Sequence, residues 1–329
     1  MRAVQLVAPG RLETVEVPVP ELGHDEVLVR SHRGSICGSD LHIVFDGFHR
    51  GAFPAAPGFP GHEGIGIVEE SRSPGFVPGD AVLVAPVPLH ARCFAEWQVV
   101  PGRSLVPLPD GADLDRLLMA QQLGTTVYAM RRFWPETVAG PAAGLTAAIC
   151  GAGSAGLFFA QLTRRAGFST VVIADKAPSR LRIAKEFGAD VAVDVTERSF
   201  VEAVLEATGG LGADLVIEAV GYDQTRIQCL HAVRMRGRVG YFGFPEKPTG
   251  PTTWDYNEAW AKQPSIEHNH STQIEPGLTA FREAVDLIHT GGIDVGPFLD
   301  PVFPLEQAQE AFEAARDQQG GKVAIALGR

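Results

Sequence analysis

Two short stretches of the sequence carry side chains that can bind a zinc ion. Cys37 begins the run Cys-Gly-Ser-Asp-Leu-His, and the His62-Glu63 pair has a glycine on each side. Zinc prefers thiolate, imidazole and carboxylate ligands, and a catalytic zinc needs about three of them and one open position. Gly61 and Gly64 predict a sharp turn that brings both side chains to one point. The pattern predicts a catalytic zinc at these three residues; the alternative is a buried cysteine and an unrelated pair on a turn.

A glycine-rich loop further along the chain predicts a dinucleotide site. The run Gly151-x-Gly153-x-x-Gly156 follows an apolar strand and opens a helix, which is the context that this fingerprint requires. Gly151 permits the tight turn, Gly153 removes a Cβ where the pyrophosphate approaches, and Gly156 lets the helix lie close to the sheet. The N–H groups at the start of the helix, at Ser154 and Ala155, would bind phosphates. A purely structural glycine turn is the alternative.

An acidic residue at the end of the next strand bears on the choice of cofactor. Asp175 follows Gly156 by nineteen residues. Its carboxylate would accept hydrogen bonds from the ribose hydroxyls and repel a 2′-phosphate, so it favours NAD over NADP. Arg180 is the opposing signal, because a nearby arginine can bind a 2′-phosphate.

Length and composition restrict the class of protein. The 329 residues suffice for two domains of about 150 residues each. The net charge of −11 argues against nucleic acid as a partner, since phosphate binding needs clustered lysine and arginine. The N-terminus lacks a charged and then apolar signal region, and glycines interrupt the longest apolar stretch, so no membrane association is expected. Four widely spaced cysteines favour a cytoplasmic protein without disulfides.

The order of predicted elements indicates an α/β protein with two domains. Residues 1–110 read as short strands separated by glycine and proline, which is typical of a small barrel-like β domain. Further along, strands alternate with helices, which predicts a parallel, doubly wound sheet. A helix is predicted from Phe303 to Ala315, followed by a strand at 322–327 that returns to the first domain. The predicted domains are a β domain at 1–121 and 271–329, and a nucleotide domain at 122–270.

Taken together, these motifs resemble the zinc-dependent medium-chain dehydrogenase/reductase superfamily over nearly the whole chain. Within it the chain is most similar to polyol, sorbitol, sugar and threonine dehydrogenases, and among shorter members to 2-deoxy-scyllo-inosamine dehydrogenases. The resemblance implies a GroES-like catalytic domain and a Rossmann domain with the active site in the cleft between them. It also implies a homodimer or homotetramer. The segments that carry it are 37–42, 61–63, 79–82, 94–97, and the Gly151 loop with Asp175.

The resemblance also implies roles for three residues close to Cys37. Ser39 matches a hydroxyl that takes the proton of the alcohol, and His42 matches an imidazole that passes protons to solvent near neutral pH. Asp40 matches a carboxylate that orients the imidazole ligand of the zinc. Ser39 as a simple turn residue and His42 as a solvent-facing histidine are the alternatives.

Two departures from the family pattern affect the metal sites. Family members often carry a lobe with four closely spaced cysteines that binds a structural zinc. Here Val84 is followed within ten residues by Phe94, so the lobe is missing and no structural zinc is expected. Polyol dehydrogenases have a glutamate, and alcohol dehydrogenases a cysteine, where this chain has Gln121. Because a neutral amide is a poor zinc ligand, Glu63 is the expected third ligand.

The sequence therefore predicts a zinc- and NAD-dependent enzyme that oxidises a secondary alcohol of a polyol, sugar or aminocyclitol to the ketone. A small polar alcohol or ketone is the expected substrate. Two alternatives remain: a zinc-free quinone or enoyl reductase that uses NADPH, and a non-catalytic nucleotide-binding protein. His268 and His270 would point to the same side of a strand, where they would contact a polar substrate or lie on the surface.

Overall fold

The chain forms two compact units in the computed structural model. Unit 1 comprises Met1–Gly124 and Ser271–Arg329, and unit 2 comprises Thr125–His270. The domain boundaries predicted from the sequence lie between residues 121 and 122 and between residues 270 and 271. The first division lies within a helix, Ala120–Phe133, which continues from one unit into the other. The structure describes residues 1–87, 90–270, 272–298, 300–317 and 321–328.

Unit 1 is mainly β-structure in the part of the chain that the structure describes. Its strands are β1 (Arg2–Ala8), β2 (Arg11–Glu16), β3 (Glu26–Ser35), β4 (Gly64–Ser71), β5 (Ala81–Val84), β6 (Trp97–Pro101), β7 (Leu105–Pro107), β14 (Val302–Pro304) and β15 (Ala324–Ala326). Its helices are α1 (Gly38–Phe45), α2 (Leu114–Leu117), the start of α3 (Ala120–Phe133), α10 (Thr279–His289) and α11 (Ala308–Arg316).

Strand β3 is the centre of the main sheet of unit 1. It pairs antiparallel with β4, β6 and β15. The side chains on its inner face are buried, as expected for a strand that is covered by other elements. Strand β15 pairs Ala324 with Ser35, so the predicted return of the C-terminal strand to the first domain is confirmed.

The helix predicted to begin at Phe303 begins later, and this prediction is wrong. Residues Val302–Pro304 form β14, which pairs in parallel with β15. The helix α11 starts at Ala308. Pro304 explains the difference, because proline cannot donate to a helix and also disfavours the helical conformation of the residue before it.

Unit 2 alternates strands and helices. Its strands are β8 (Thr146–Cys150), β9 (Thr170–Asp175), β10 (Val191–Asp194), β11 (Ala213–Glu218), β12 (Val233–Tyr241) and β13 (Ser265–His268). Its helices, in addition to the rest of α3, are α4 (Glu136–Ala139), α5 (Ser154–Arg165), α6 (Pro178–Glu186), α7 (Phe200–Ala207), α8 (Asp223–Ala232) and α9 (Tyr256–Lys262). Across the described ranges of both units, no helix is long and apolar enough to cross a membrane.

The six strands of unit 2 form the predicted parallel sheet. Their order is β10-β9-β8-β11-β12-β13, and each neighbouring pair is parallel. Every residue of β8 is buried, which fits a strand covered on both faces. The first strand of this sheet in sequence order, β8, lies in its interior. The next two strands, β9 and β10, follow on one side of it, and β11, β12 and β13 follow on the other. The carboxyl ends of β8 and β11 therefore lie at the point where the strand order reverses, where α/β sheets of this kind bind their ligands.

Strand β13 is shorter than the sequence suggested. It ends at His268, so His270 lies outside it and the two histidines do not share one face of a strand. The His268 ring packs on the Tyr241 ring at a centroid distance of 5.3 Å. The same-side prediction for these two histidines is therefore wrong.

Candidate functional site

The side chains of Cys37, His62 and Glu63 come together in unit 1. Their ligand atoms all lie within 4.8 Å of one another. Cys37 lies two residues after the end of β3 and is the N-cap of α1, whereas the His62-Glu63 pair directly precedes β4. Because β3 and β4 are antiparallel neighbours, with Gly34 opposite Gly64, the end of one strand lies beside the start of the other. The sheet itself therefore brings the two sequence motifs side by side.

The two glycines around His62 serve close packing, not the sharp turn predicted for them. Neither Gly61 nor Gly64 has a positive φ. A Cβ on Gly61 would lie 2.7 Å from the Phe94 ring, and one on Gly64 would lie 2.8 Å from the Cys93 sulfur. The absence of side chains at these two positions lets the segment at 61–64 lie against the segment at 93–94.

Asp40 connects two of the candidate ligands. Its side chain is fully buried, and its Oδ2 accepts a hydrogen bond from the Cys37 N–H at 2.9 Å. Its Oδ1 lies 3.0 Å from Nδ1 of His62, which leaves Nε2 of that ring available for a metal. Burial alone would lower the pKa of His62, but Asp40, and after it Cys37, outweigh burial and raise the pKa well above its usual value.

Glu63 has a cationic partner that was not predicted from the sequence. Nζ of Lys322 donates to both carboxylate oxygens, at 2.9 Å and 2.7 Å, and the Ser35 hydroxyl donates to Oε2 at 2.5 Å. The side chains of Lys322 and Glu63 are only 4% and 2% exposed. The one sequence signal is a lysine two residues before the apolar strand β15.

The ion pair keeps both groups charged although they are buried. Burial would raise the pKa of Glu63, but Lys322 and then His62 outweigh burial and lower it. Burial would lower the pKa of Lys322, but Glu63 and then Cys37 raise it. Glu63 is therefore a carboxylate whose charge is already balanced by an ammonium group, and a metal bound to it would share it with Lys322.

Gln121 contacts the backbone that carries one of the candidate ligands. Its side chain is buried, and its amide N–H donates to the carbonyl oxygen of His62 at 3.1 Å. This hydrogen bond fixes the backbone that carries the histidine.

Ser39 and His42 lie three residues apart on α1, at neighbouring positions of the helix surface. The Ser39 hydroxyl has no hydrogen-bond partner within the described ranges of the chain. Nδ1 of His42 lies 2.7 Å from a carboxylate oxygen of Asp46, and its ring packs on Phe48. The helix therefore places a free hydroxyl beside an oriented imidazole.

The donor set fits a zinc ion. It supplies one sulfur, one nitrogen and one carboxylate oxygen, which are the atoms that zinc binds at about 2.0–2.3 Å. Tetrahedral ligand atoms at those bond lengths are roughly 3.5 Å apart. Because the three ligand atoms here lie within 4.8 Å of one another, side-chain movements of about 1 Å would bring them to the distances that a zinc ion requires. No other group of three such residues is close enough elsewhere in the described chain.

The glycine loop of unit 2 has the geometry that its sequence predicts. Gly151 has a φ of +104°, which side-chain-bearing residues rarely adopt. A Cβ on Gly156 would overlap the Gly151 carbonyl oxygen, so the helix α5 can lie this close only with glycine there. A Cβ on Gly153 would meet no atom within 4 Å, so this position borders open space where a phosphate can approach.

The start of helix α5 offers free donors. The helix begins at Ser154, and its N-cap, Gly153, has no side chain to satisfy the first N–H groups. The N–H groups of Ser154, Ala155 and Gly156 accordingly have no hydrogen-bond partner in the described chain. Unsatisfied N–H groups at a helix N-terminus fit a pyrophosphate.

Asp175 holds the loop and lies beside Arg180. Its Oδ2 accepts from the Ala152 N–H at 2.8 Å and its Oδ1 accepts from the Ala177 N–H at 2.9 Å. A guanidinium nitrogen of Arg180 lies 3.8 Å from Oδ2. The Asp175 side chain is 8% exposed, and its hydrogen bond to the Ala152 N–H holds the glycine loop in place.

Comparison with known proteins matches both parts of the chain. Residues 23–110 match the alcohol dehydrogenase GroES-like domain, and residues 155–290 match the zinc-binding dehydrogenase domain. The chain is 31% identical to the L-threonine 3-dehydrogenase of Bacillus subtilis (strain 168), over 94% of this chain and 93% of that protein. It is 27% identical to an alcohol dehydrogenase of Cupriavidus necator, over 99% and 98% of the two chains.

Solved structures agree with these sequence matches. The alcohol dehydrogenase TADH from Thermus sp. ATN1 has a TM-score of 0.83 and 25% identity, over 99% of this chain and 100% of that chain. The matches to known proteins thus extend over nearly the whole chain. The chain belongs to the zinc-binding medium-chain dehydrogenase family, whose members are oxidoreductases with a GroES-like domain and a Rossmann domain.

Proposed function

We propose that this protein is a dehydrogenase that uses zinc and NAD to oxidise a secondary alcohol of a polyol, sugar or aminocyclitol. The observation that carries the proposal is the approach of the Cys37, His62 and Glu63 ligand atoms to within 4.8 Å of one another. A zinc-free reductase has no use for such a set. A non-catalytic protein would have no reason to keep Asp40 bonded to one ligand and close to another.

The residues of unit 1 would hold the metal and fix its ligands. Bound zinc would act as a Lewis acid on the oxygen of the substrate. Cys37 and His62 supply two ligands, and Asp40 sets the orientation of the imidazole. Glu63 is the proposed third ligand, and Lys322 keeps it ionised.

Ser39 and His42 would remove the proton of the alcohol. The unpartnered Ser39 hydroxyl accepts that proton while passing its own toward His42, and the imidazole releases a proton to solvent. Bound NAD would supply the acceptor for the hydrogen of the carbinol carbon, which would leave as a hydride. With the proton removed through Ser39 and His42, the alcohol would lose one proton and one hydride and become a ketone. Asp46, at 2.7 Å from the His42 ring, orients it for this transfer.

The dinucleotide would bind to unit 2. The free N–H groups of Ser154, Ala155 and Gly156 suit its pyrophosphate. Asp175 supports NAD because a carboxylate at the end of β9 repels a 2′-phosphate. Arg180 is the residue that would favour NADP in its place.

Assembly and location also follow the family pattern. We infer a homodimer or homotetramer, as the resemblance implies. The four free cysteines of the chain support a reducing, cytoplasmic compartment.

Turnover assays test the proposed function. Purified protein is offered polyols, sugars, cyclitols, aminocyclitols and L-threonine with NAD or NADP, before and after treatment with a chelator. We expect NADH formation with at least one hydroxylated substrate, which chelation abolishes and zinc restores. Activity that persists in zinc-free protein, or reduction of quinones with NADPH instead, would contradict the proposal.

A further inference from the structure

Glu218 is a fully buried acid that the proposed chemistry does not use. It ends β11 at the carboxyl edge of the parallel sheet of unit 2. Its register partners are Cys150 at the end of β8 and Tyr241 at the end of β12. Glu218 therefore lies where the strand order reverses, next to the glycine loop that follows Cys150.

One carboxylate oxygen of Glu218 organises the loop after β11. Its Oε1 accepts hydrogen bonds from the N–H groups of Val220 at 2.8 Å and Gly221 at 2.7 Å. It also accepts from the Thr225 hydroxyl in the first turn of α8, at 2.8 Å. The side chain thus fixes the loop and the start of the following helix together.

The backbone of Glu218 and two glycines connect this loop to the residues after β12. The Glu218 carbonyl accepts from the N–H groups of Phe242 and Gly243. Gly221 has a φ of +106°, and a Cβ there would overlap the Phe244 carbonyl oxygen. A Cβ on Gly243 would lie 2.6 Å from Oε2 of Glu218. The two loops, 219–222 and 242–244, are therefore interlocked around one acid.

The second carboxylate oxygen is buried without a partner. Oε2 has no hydrogen-bond partner among the described residues. Burial raises the pKa of Glu218 above its usual value, although the hydrogen bonds from Gly221, Thr225 and Val220 oppose this. A neutral acid avoids the cost of a buried carboxylate oxygen that accepts no hydrogen bond.

The position of these loops indicates which half of the dinucleotide they serve. A doubly wound sheet consists of two mononucleotide-binding halves, one on each side of the point where the strand order reverses. The half that begins with β8 carries the Gly151 loop and Asp175 for the adenosine side. The half that begins with β11 carries the loops that Glu218 holds. The two halves adjoin, since a Cβ on Gly151 would lie 2.8 Å from the Val220 side chain.

We propose that Glu218 is a positioning residue for the nicotinamide half of the cofactor, acting through the two loops 219–222 and 242–244. It touches no substrate atom in this assignment. The inference rests on the proposed function, because it assumes that unit 2 binds a nicotinamide dinucleotide.

Equilibrium binding of NAD and of AMP separates this role from general support of the fold. Glu218→Ala removes the acceptor of three hydrogen bonds, so the affinity for NAD should fall roughly tenfold. The affinity for AMP, which occupies only the adenosine half, should stay within about twofold. Glu218→Gln keeps the oxygen that accepts the three hydrogen bonds and carries no charge. The affinities of this variant for NAD and for AMP should therefore stay within about threefold of the wild-type values. Asp175→Ala is the matched control from the other half, and it should weaken NAD and AMP together.

Two results would overturn the inference. One is an equal loss of NAD and AMP affinity in Glu218→Ala, and the other is no loss of NAD affinity. If Glu218→Ala does not fold, Thr225→Val is the second variant, because it removes one of the three hydrogen bonds. Its affinity for NAD should fall about threefold while its affinity for AMP stays unchanged. Unchanged NAD affinity in Thr225→Val would also contradict the inference. Wild-type protein that binds neither NAD nor NADP would refute the proposed function itself, whereas normal wild-type binding with no difference between NAD and AMP refutes only the role of Glu218.

Discussion

Replacing Lys322 with methionine should lower the free energy of unfolding by about 3–5 kcal/mol. Methionine keeps an unbranched apolar side chain as far as the ε carbon but removes the ammonium group that donates to both oxygens of Glu63. The carboxylate then remains buried with only the Ser35 hydroxyl as a donor. Loss of one partner from a buried ion pair costs about 3–5 kcal/mol, because the other charge is left uncompensated. For a unit of this size, the loss corresponds to a fall of about 6–20 °C in the melting temperature.

A double-mutant cycle shows whether the loss comes from the ion pair. Glu63→Gln alone should also destabilise, since it leaves the Lys322 ammonium without a countercharge. The double variant Glu63→Gln/Lys322→Met should be destabilised by about 2 kcal/mol less than the sum of the single variants. Chemical denaturation gives the free energies, and zinc content is measured in each sample because loss of metal also lowers stability. Arg11→Met is the matched control in the same unit: its ion pair with Glu13 is largely exposed, so it should cost less than about 1 kcal/mol. A loss under 1 kcal/mol in Lys322→Met, or a coupling energy near zero, would refute this account of the ion pair.

Three further predictions concern the cofactor, the cysteines and the buried acid. Asp175→Ala should reduce the preference for NAD over NADP by about tenfold in steady-state kinetics, since the charge that repels the 2′-phosphate is lost; a wild type that already prefers NADP would make Arg180 the determinant. An alkylating reagent should modify Cys37 after chelation but not after zinc is restored, as mass spectrometry would show. The other three cysteines should stay unmodified because they are buried. For Cys93 there is a second reason, since burial raises the pKa of its thiol to about 12. The raised pKa of Glu218 means that its ionisation lowers the stability of the wild type as the pH rises above the unfolded value of 4.5. Glu218→Gln should therefore gain stability relative to the wild type as the pH rises above the unfolded value in urea denaturation, and a difference that is independent of pH would contradict this.

The parts of the fold set by local patterns could be predicted from the sequence. The strand at 146–150, the glycine loop and the helix after it form one continuous signal, and alternating strands and helices give a parallel sheet. Helix α1 was not anticipated, because Gly38 and Ser39 are residues typical of a turn. Asp40 is the decisive residue in the structure: its carboxylate accepts from the Cys37 N–H and so caps the helix.

In the candidate site, too, the residues set by local motifs could be predicted from the sequence, and those set by distant contacts could not. Its grouped ligands were predicted from their residue types in two short motifs, which lie beside the ends of two neighbouring strands. Lys322 was not, because it is separated from Glu63 by 259 positions and nothing local indicates which carboxylate a lysine will meet. Gln121 was considered only as a possible ligand, and its hydrogen bond to the His62 carbonyl depends on packing that no spacing rule supplies.

The metal content of the purified protein and of two cysteine variants tests the central claim most directly. Cys37 is a proposed zinc ligand, whereas Cys93 lies close to the site but outside the ligand set. The wild type and Cys93→Ser should each hold about one zinc per chain, and Cys37→Ser should hold far less after mild chelation. Full zinc content in Cys37→Ser, or wild-type protein that binds no zinc when the metal is supplied, would contradict the account.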